Sequence, residues 1–334
     1  KAVVEIGPDA LAGSQQPDGV WRLQNSKLNI QGVAFEVQRT TNSTAKSRKA
    51  LFALHGNSQL EFNNCSVTTR SRSLGNDAVS IGSANNRASS IGVAAKAFSL
   101  VSGNDPSGSS GSAPGDSIVV RSVMSVFRGA ATLVNLDFSE QTIDNRADIS
   151  LTDSLIAVSG SLLELKSPTG DAQSQRFVRL LCNQSTIVTE QPFARLNYSG
   201  SLAPLVGLMR TSQSCIYWSR AGVPHVQIDG ASRSSLTGNF NLLVFQGVNN
   251  LYDANIQELC QATAGGERIA SFGFAEASAG GWLTERGSES RVRWREASFP
   301  KLPLSESAPA DFVVEEMAFV PGITPDKLPL NAVE

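Results

Sequence analysis

The chain has 334 residues, 41% of them hydrophobic and 17% charged, with a formal net charge of -2. That length and apolar content suffice for a sizeable core and exclude a wholly disordered chain. The slightly acidic balance excludes general attraction to nucleic-acid phosphates or anionic lipid, and no apolar run approaches the roughly 20 residues of a membrane-spanning helix. Lys1 is not a start methionine, so a processed protein or a segment of a longer one is expected. Cys65, Cys182, Cys215 and Cys260 are widely spaced, without a C-x-x-C pair or a histidine at ligand spacing. They are expected as buried free thiols, with one disulfide as the alternative and no zinc or redox site.

Along the chain one pattern recurs: apolar, x, apolar, x, x, small or apolar, x, apolar or small. It fits Leu28, Ile30, Val33, Phe35; Leu60, Phe62, Cys65, Val67; Ile118, Val120, Val123, Ser125; and Ile149, Leu151, Ser154, Ile156. It fits again at Leu180, Cys182, Ser185, Ile187; more loosely at Met209, Thr211, Ser214, Ile216; and at Phe240, Leu242, Phe245, Gly247. Successive matches lie about 30 residues apart, apart from one interval nearly twice as long. A second ladder of apolar pairs accompanies the first: Phe52/Leu54, Phe98/Leu100, Val134/Leu136, Leu163/Leu165, Ala194/Leu196 and Val226/Ile228.

Alternation with a period of two predicts short strands. The dipeptides between the two halves of the pattern, such as Gln31-Gly32, Asn63-Asn64, Thr152-Asp153 and Asn183-Gln184, suit a tight bend because Asn, Asp and Gly accept unusual backbone angles. A unit this short cannot bury its own apolar face and must stack on its neighbours. On these residues the chain resembles the right-handed parallel β-helix, or pectate-lyase-like, superfamily, over roughly residues 1–250. The expected fold is therefore all-β: a right-handed parallel β-helix solenoid with an irregular C-terminal cap over 251–334.

The long interval predicts loop insertions near 70–89 and 103–116, both polar and rich in Gly and Ser. Beyond residue 250 the period fades, and the segment holding Trp282, Trp294 and most late prolines reads as a cap over the exposed core and strand edges of the last coil.

Enzymes that the fold resembles act on polysaccharides in a groove along one sheet, with clustered aspartates in the hydrolases and calcium-binding carboxylates plus an Arg or Lys base in the lyases. Such chemistry needs ionisable groups at matching outward positions of adjacent coils. On the second ladder the outward residues read Ala53, Ser99, Asn135, Glu164, Arg195, Gln227 and then His55, Val101, Asp137, Lys166, Asn197, Asp229. Glu164 beside Arg195 and Asp137 beside Lys166 offer opposite charges at about 5 Å. These four are the catalytic candidates; Asn135, Asn197, Gln227, Asp229, Tyr198 and Trp218 are the ligand-binding candidates. The same strip also reads as a solvated face with weak ion pairs.

Asp137, Glu140, Asp144, Asp148 and Asp153 form the densest acidic group and offer oxygen ligands for calcium, without a recognisable calcium-loop spacing. No other cofactor or metal is implied. Tyr198, Tyr217 and Trp218 fall near successive coils, either as a platform for a sugar face or as residues buried under a loop. His55 and His225 are expected as surface or turn residues, and no nucleophile elbow, phosphate loop or metalloprotease helix is present.

The expectation is a noncatalytic, extracytoplasmic β-helix module that binds a polysaccharide or a cell-surface protein. The resemblance points to bacterial surface or receptor-kinase polypeptides as its setting. The alternative is a polysaccharide lyase or glycoside hydrolase. No nucleic-acid partner or membrane insertion is expected, and a monomer is the default state.

Overall fold

A computed structural model describes residues 2–6, 19–40, 50–72, 90–96, 117–138, 146–170, 176–199, 203–204, 206–231, 236, 242–288, 292–295, 299–300, 303–315 and 321–329. The repeats build a parallel β-solenoid with three long sheets. Sheet 1 stacks Lys27–Gln31, Ser58–Asn63, Ser117–Val123, Arg146–Thr152, Arg176–Asn183, Val206–Gln213, Leu243–Val248 and Leu283–Arg286. Sheet 2 stacks Ala2–Ile6, Val33–Thr40, Ser66–Arg72, Val126–Gly129, Leu155–Val158, Thr186–Thr189, Ile216–Ser219 and Leu251–Tyr252. Sheet 3 stacks Gly19–Gln24, Ala50–His55, Ser90–Lys96, Thr132–Asp137, Leu163–Gly170, Ala194–Ser199, Val226–Asp229 and Cys260–Ala264.

Each coil crosses the sheets in the order 3, 1, 2, so side chains of like position stack down the interior. Leu60, Val120, Ile149 and Leu180 form one such column in sheet 1, and Leu54, Leu136, Leu165, Leu196 and Ile228 are the corresponding buried residues of sheet 3. Each fully buried Leu or Ile contributes about 1.5–3 kcal/mol, so the columns supply the cohesion that a single coil lacks. All four cysteines are buried and free, and burial pushes the Cys215 thiol up to about 11, where it stays protonated.

The bend between sheets 1 and 2 is the most regular part. One residue per coil adopts positive φ: Gly32, Asn64, Met124, Asp153, Gln184, Ser214, Asn249 and Gly287. Its amide donates to the carbonyl one coil on, as from Asn64 to Val123, Met124 to Thr152, Asp153 to Asn183 and Gln184 to Gln213. After Asn64, Met124, Asp153, Gln184 and Ser214 the next residue is a buried Cys or Ser. The Cys65 amide donates to Ser125 Oγ, Ser125 to Ser154 Oγ, and Ser154 to Ser185 Oγ. Each hydroxyl in turn donates to a carbonyl two residues before it, Val123, Thr152 and Asn183. The bend thus satisfies polar groups that the interior would otherwise leave unpaired. Positive φ costs a non-glycine residue about 1–2 kcal/mol, and Gln184 sits at φ 44° with its side chain half-buried. Gln184→Gly is expected to raise stability by about 0.5–1 kcal/mol, read as a higher urea midpoint at unchanged slope.

Three frames of the sequence pattern shift. Pairing places Val120, Arg210 and Phe245 in the inward column with Leu180, and not Ile118 or Met209; Phe240 lies outside the described residues. In sheet 3, Val93 and Ala95 occupy the places expected for Phe98 and Leu100, which lie outside the described residues with Ser99 and Val101. The long interval is one coil whose sheet 3 strand is Ser90–Lys96. Of the first expected insertion, residues 70–72 belong to a sheet 2 strand, while the remainder and the whole of 103–116 lie outside the described residues.

Parallel stacking also continues past residue 250, through Cys260–Ala264 and Leu283–Arg286. The cap over this end consists of Glu267–Phe272, which returns antiparallel along Cys260–Ala264, and the helix Phe274–Ala279. The later segment does something else. It runs as a strap along the outside of sheet 2, with Leu304, Phe312, Ile323 and Leu328 packed on Val126, Leu155, Ala157, Val188 and Trp218. Arg128 pins it by donating to the Ser307 carbonyl at 2.6 Å, and Ile323 donates its amide to Thr186 Oγ1 at 3.2 Å. Under the strap, the sheet 2 strand Leu155–Val158 (LIAV) is buried at every position and reads as a continuous apolar stretch, as expected where both faces of a parallel sheet are covered.

Candidate functional site

Sheet 3 places the predicted strip in register. Asn135, Glu164, Arg195 and Gln227 are successive partners across the strands, as are Asp137, Lys166, Asn197 and Asp229. Alternation turns both columns outward while Val134, Leu136, Leu163, Leu165 and their equivalents point in, and all eight polar side chains are half-buried except exposed Lys166.

Of the two expected charge pairs one forms, and it is weak. Lys166 Nζ lies 3.7 Å from Asp137 Oδ2, with the lysine side chain 58% exposed, so the contact is worth little. Glu164 and Arg195 face each other across the strands but do not form an ion pair. Glu164 instead accepts from Thr132 Oγ1 at 3.2 Å. Arg195 Nη2 donates to Gln191 Oε1 at 3.4 Å and to Gln227 Oε1 at 3.3 Å, and its Nε has no hydrogen-bond partner among the described residues. Gln227 Nε2 donates onward to Asp229 Oδ1 at 3.0 Å, which also accepts from Thr263 Oγ1. A chain of side-chain contacts, Gln191, Arg195, Gln227, Asp229 and Thr263, therefore runs across neighbouring coils and orients the guanidinium without a carboxylate partner of its own.

The aromatic platform does not form. Tyr198 is 7% exposed and donates its hydroxyl to the Val206 carbonyl at 2.7 Å, and burial raises that phenol well above its usual range. Trp218 is 7% exposed and lies under the strap, edge-on to Phe299 at 6.3 Å. Tyr217 points into the core. Tyr198 and Trp218 are thus packing residues: Tyr198 shares the inward parity of Leu196 and joins the main core, and Trp218 faces out of sheet 2 but is covered by the strap.

The acidic group is also dispersed. Asp137 is on sheet 3, Asp148 is on sheet 1 at 3.7 Å from Arg179, and Asp153 occupies a bend; Glu140 and Asp144 lie outside the described residues. Among the described residues no three His, Cys, Asp or Glu side chains converge as they would around a metal ion, and no helix is long and apolar enough to cross a membrane.

One polar constellation escaped the sequence reading. Arg210 points into the core and is 0% exposed, where the same column carries Leu180 and Phe245. Its Nη2 lies 2.6 Å from Glu285 Oε1, a carboxylate on the last sheet 1 strand whose side chain is 5% exposed. Tyr252 bridges the pair, donating to Glu285 at 2.6 Å and also contacting Arg210. Arg210 Nη1 donates to His225 Nε2 at 2.8 Å, and the guanidinium carbon lies 4.2 Å from the Phe245 ring centre and 4.6 Å from that of Tyr217.

Gly247 stands between Ser212 and Glu285 in its column. A Cβ there would come within 2.3 Å of Asn250 Nδ2, so the glycine leaves room for Asn250 to donate to Ser212 Oγ at 3.0 Å and Glu285 Oε2 at 3.2 Å. Burial alone would raise the Glu285 carboxyl; Arg210 and the hydrogen bonds from Tyr252, Ser288 and Asn250 outweigh it and hold the group below the usual carboxylate range. His225 is 0% exposed, not the surface or turn residue expected, and Phe193 stacks on it at 4.5 Å. The side chain of His55 lies outside the described residues. Sealed from solvent, the cluster is a structural knot rather than a place for substrate. Its only sequence signal is an arginine where neighbouring coils have Leu or Phe.

No protein-family model, curated protein or solved structure matches this chain.

Proposed function

We propose that the chain is a noncatalytic, extracytoplasmic polysaccharide-binding module whose ligand lies along sheet 3. The observation that carries this reading is the register of two polar columns over at least four coils, with Arg195 oriented by Gln191 and Gln227 at its centre. The rungs repeat every 4.7–4.9 Å or so, a spacing comparable to one sugar unit of an extended chain. A polymer laid parallel to the solenoid axis would therefore meet similar donors and acceptors at successive units. The other faces suit this role less well: sheet 2 is occupied by the strap, and sheet 1 exposes Leu181 and Val248 at 51% and 44%. The fixed hydrogen bonds lower the entropy lost when the side chains engage a ligand. Glu164 accepts from Thr132 and stands in register between Asn135 and Arg195 with no carboxylate on either side, which favours binding over acid–base turnover.

A glycan array run beside an assay for newly formed reducing or unsaturated ends tests the proposal. Binding without release is expected, and Arg195→Ala combined with Asn197→Ala should weaken it at least tenfold while leaving the fold intact by circular dichroism. Release of sugar ends by the wild-type chain would instead establish the lyase or hydrolase alternative centred on Glu164, Arg195, Asp137 and Lys166. Failure to bind any glycan would remove the reading.

A further inference from the structure

Beneath the C-terminal half of the polar strip lies the one histidine whose surroundings the structure defines. His225 immediately precedes Val226–Asp229, the strand bearing Gln227 and Asp229, and stacks on Phe193, which precedes the strand bearing Arg195. Its Nε2 faces Arg210 Nη1 at 2.8 Å. A guanidinium has only donors, so Nε2 must be the acceptor and the ring proton resides on Nδ1, an atom without a hydrogen-bond partner among the described residues. A second proton would have to enter at Nε2, between two nitrogens that would both be donors. The groups facing the ring offer no relief. Arg210 is cationic, Tyr217 and Tyr252 are edge-on at 5.3 and 5.6 Å, and Phe245 is edge-on at 6.3 Å. Glu285, the nearby carboxylate, is engaged by Arg210, Tyr252 and Asn250. Cys182 and Cys215, which interact electrostatically with Arg210, are held as neutral thiols by burial. On the backbone side, the His225 amide donates to the Glu258 carbonyl, whose own carboxylate is turned to Arg268.

We propose that the Arg210–His225 contact is a pH-sensitive latch: near neutrality it holds the coils from about 206 to 286 closed, and mild acidification loosens them before the coils that precede them. The direction follows from linkage. Burial first, and then the Arg210 charge, hold the folded imidazole well below its ordinary value. The open form therefore takes up a proton that the closed form refuses. The closed form keeps its full advantage above the free histidine value of about 6.5 and loses a factor of about ten for each pH unit below it, until the folded group itself titrates. Glu285 acts in the same sense only below the free carboxylate range, so the interval from pH 7 to 5 isolates His225. Loosening would also displace Gln227 and Asp229, but the latch does not depend on any ligand.

Only two histidines occur in the chain, which makes the test direct. In protein labelled at the imidazoles, one ring should remain a neutral Nδ1–H tautomer at pH 5.5. Hydrogen exchange, corrected for intrinsic rates, should show opening of Val206–Gln213, Val226–Asp229 and Cys260–Ala264 rising about 16-fold between pH 6.5 and 5. Ser117–Val123 and Thr132–Asp137 should change by less than threefold. His225→Gln, which retains an acceptor for Arg210, should flatten the C-terminal response, and His225→Asn provides a second such variant. Both rings titrating near 6.5, or equal acid responses in the two halves of the wild-type solenoid, would overturn the latch even if neither variant folds.

Discussion

Glu285→Ala should lower stability by about 3–5 kcal/mol, because it strands the Arg210 cation in a closed apolar core. The loss should be local. A solenoid's stability is close to a sum over neighbouring coils, so exchange protection should fall from Val206 onwards and persist between Leu133 and Leu165. The paired replacement Arg210→Leu with Glu285→Leu removes both charges and gives position 210 the residue type that its column carries at Leu180 and Leu283. It should recover most of the loss, since apolar replacements of a buried pair are often neutral or stabilising. A urea titration of the three proteins checks this. Equal midpoints for wild type and Glu285→Ala would show that the pair contributes nothing, and an additive double variant would show that the residues do not interact.

Removing the strap, by ending the chain after Ser288, should produce a sticky protein rather than a shorter well-behaved one. It uncovers Val126, Leu155, Ala157, Val188 and Trp218 on one flat face. Such side chains are each worth about 1.5–3 kcal/mol when buried, apart from the smaller alanine, and a contiguous apolar face of this kind promotes association. Dye binding and light scattering should rise and tryptophan emission should shift to the red. A gentler form is Phe312→Ala, which opens a cavity beside Phe299 and should cost about 3–5 kcal/mol. A truncated chain that stays monomeric and melts as the full chain does would mean that the strap is dispensable.

The parts of the fold visible in the sequence are those in which a side chain repeats its role from coil to coil. The pairs Val134/Leu136, Leu163/Leu165, Ala194/Leu196 and Val226/Ile228 are in register as read, and the polar columns between and beside them follow automatically. The solenoid architecture was legible for the same reason. The pattern slid where composition offered a decoy. Met209 took the apolar place that Arg210 fills, because a buried arginine is acceptable only with a partner 75 residues away on another coil. Phe98 and Leu100 outbid the smaller Val93 and Ala95 for similar reasons of size.

The strap left almost no periodic trace, since irregular chain contributes single anchors such as Leu304 and Phe312 rather than a repeat. Its footprint was present on the partner surface instead. Thr186–Thr189 and Ile216–Ser219 are buried at every position, and a strand with one face in water would have alternated. Trp218 was assigned to a ligand because the cover over it could not be inferred from its own repeat. Tyr198 was misplaced similarly, its hydroxyl already committed to the Val206 backbone.

From Asn63 onward, every passage from sheet 1 to sheet 2 uses two residues, the first with positive φ and the second with its side chain in the interior. Variation in chain length is consequently confined to the other two corners. Growth of such a molecule is quantised: whole turns can be duplicated or excised between equivalent serines, as from Ser154 to Ser185, while any fractional change at this corner would rotate every later residue out of phase.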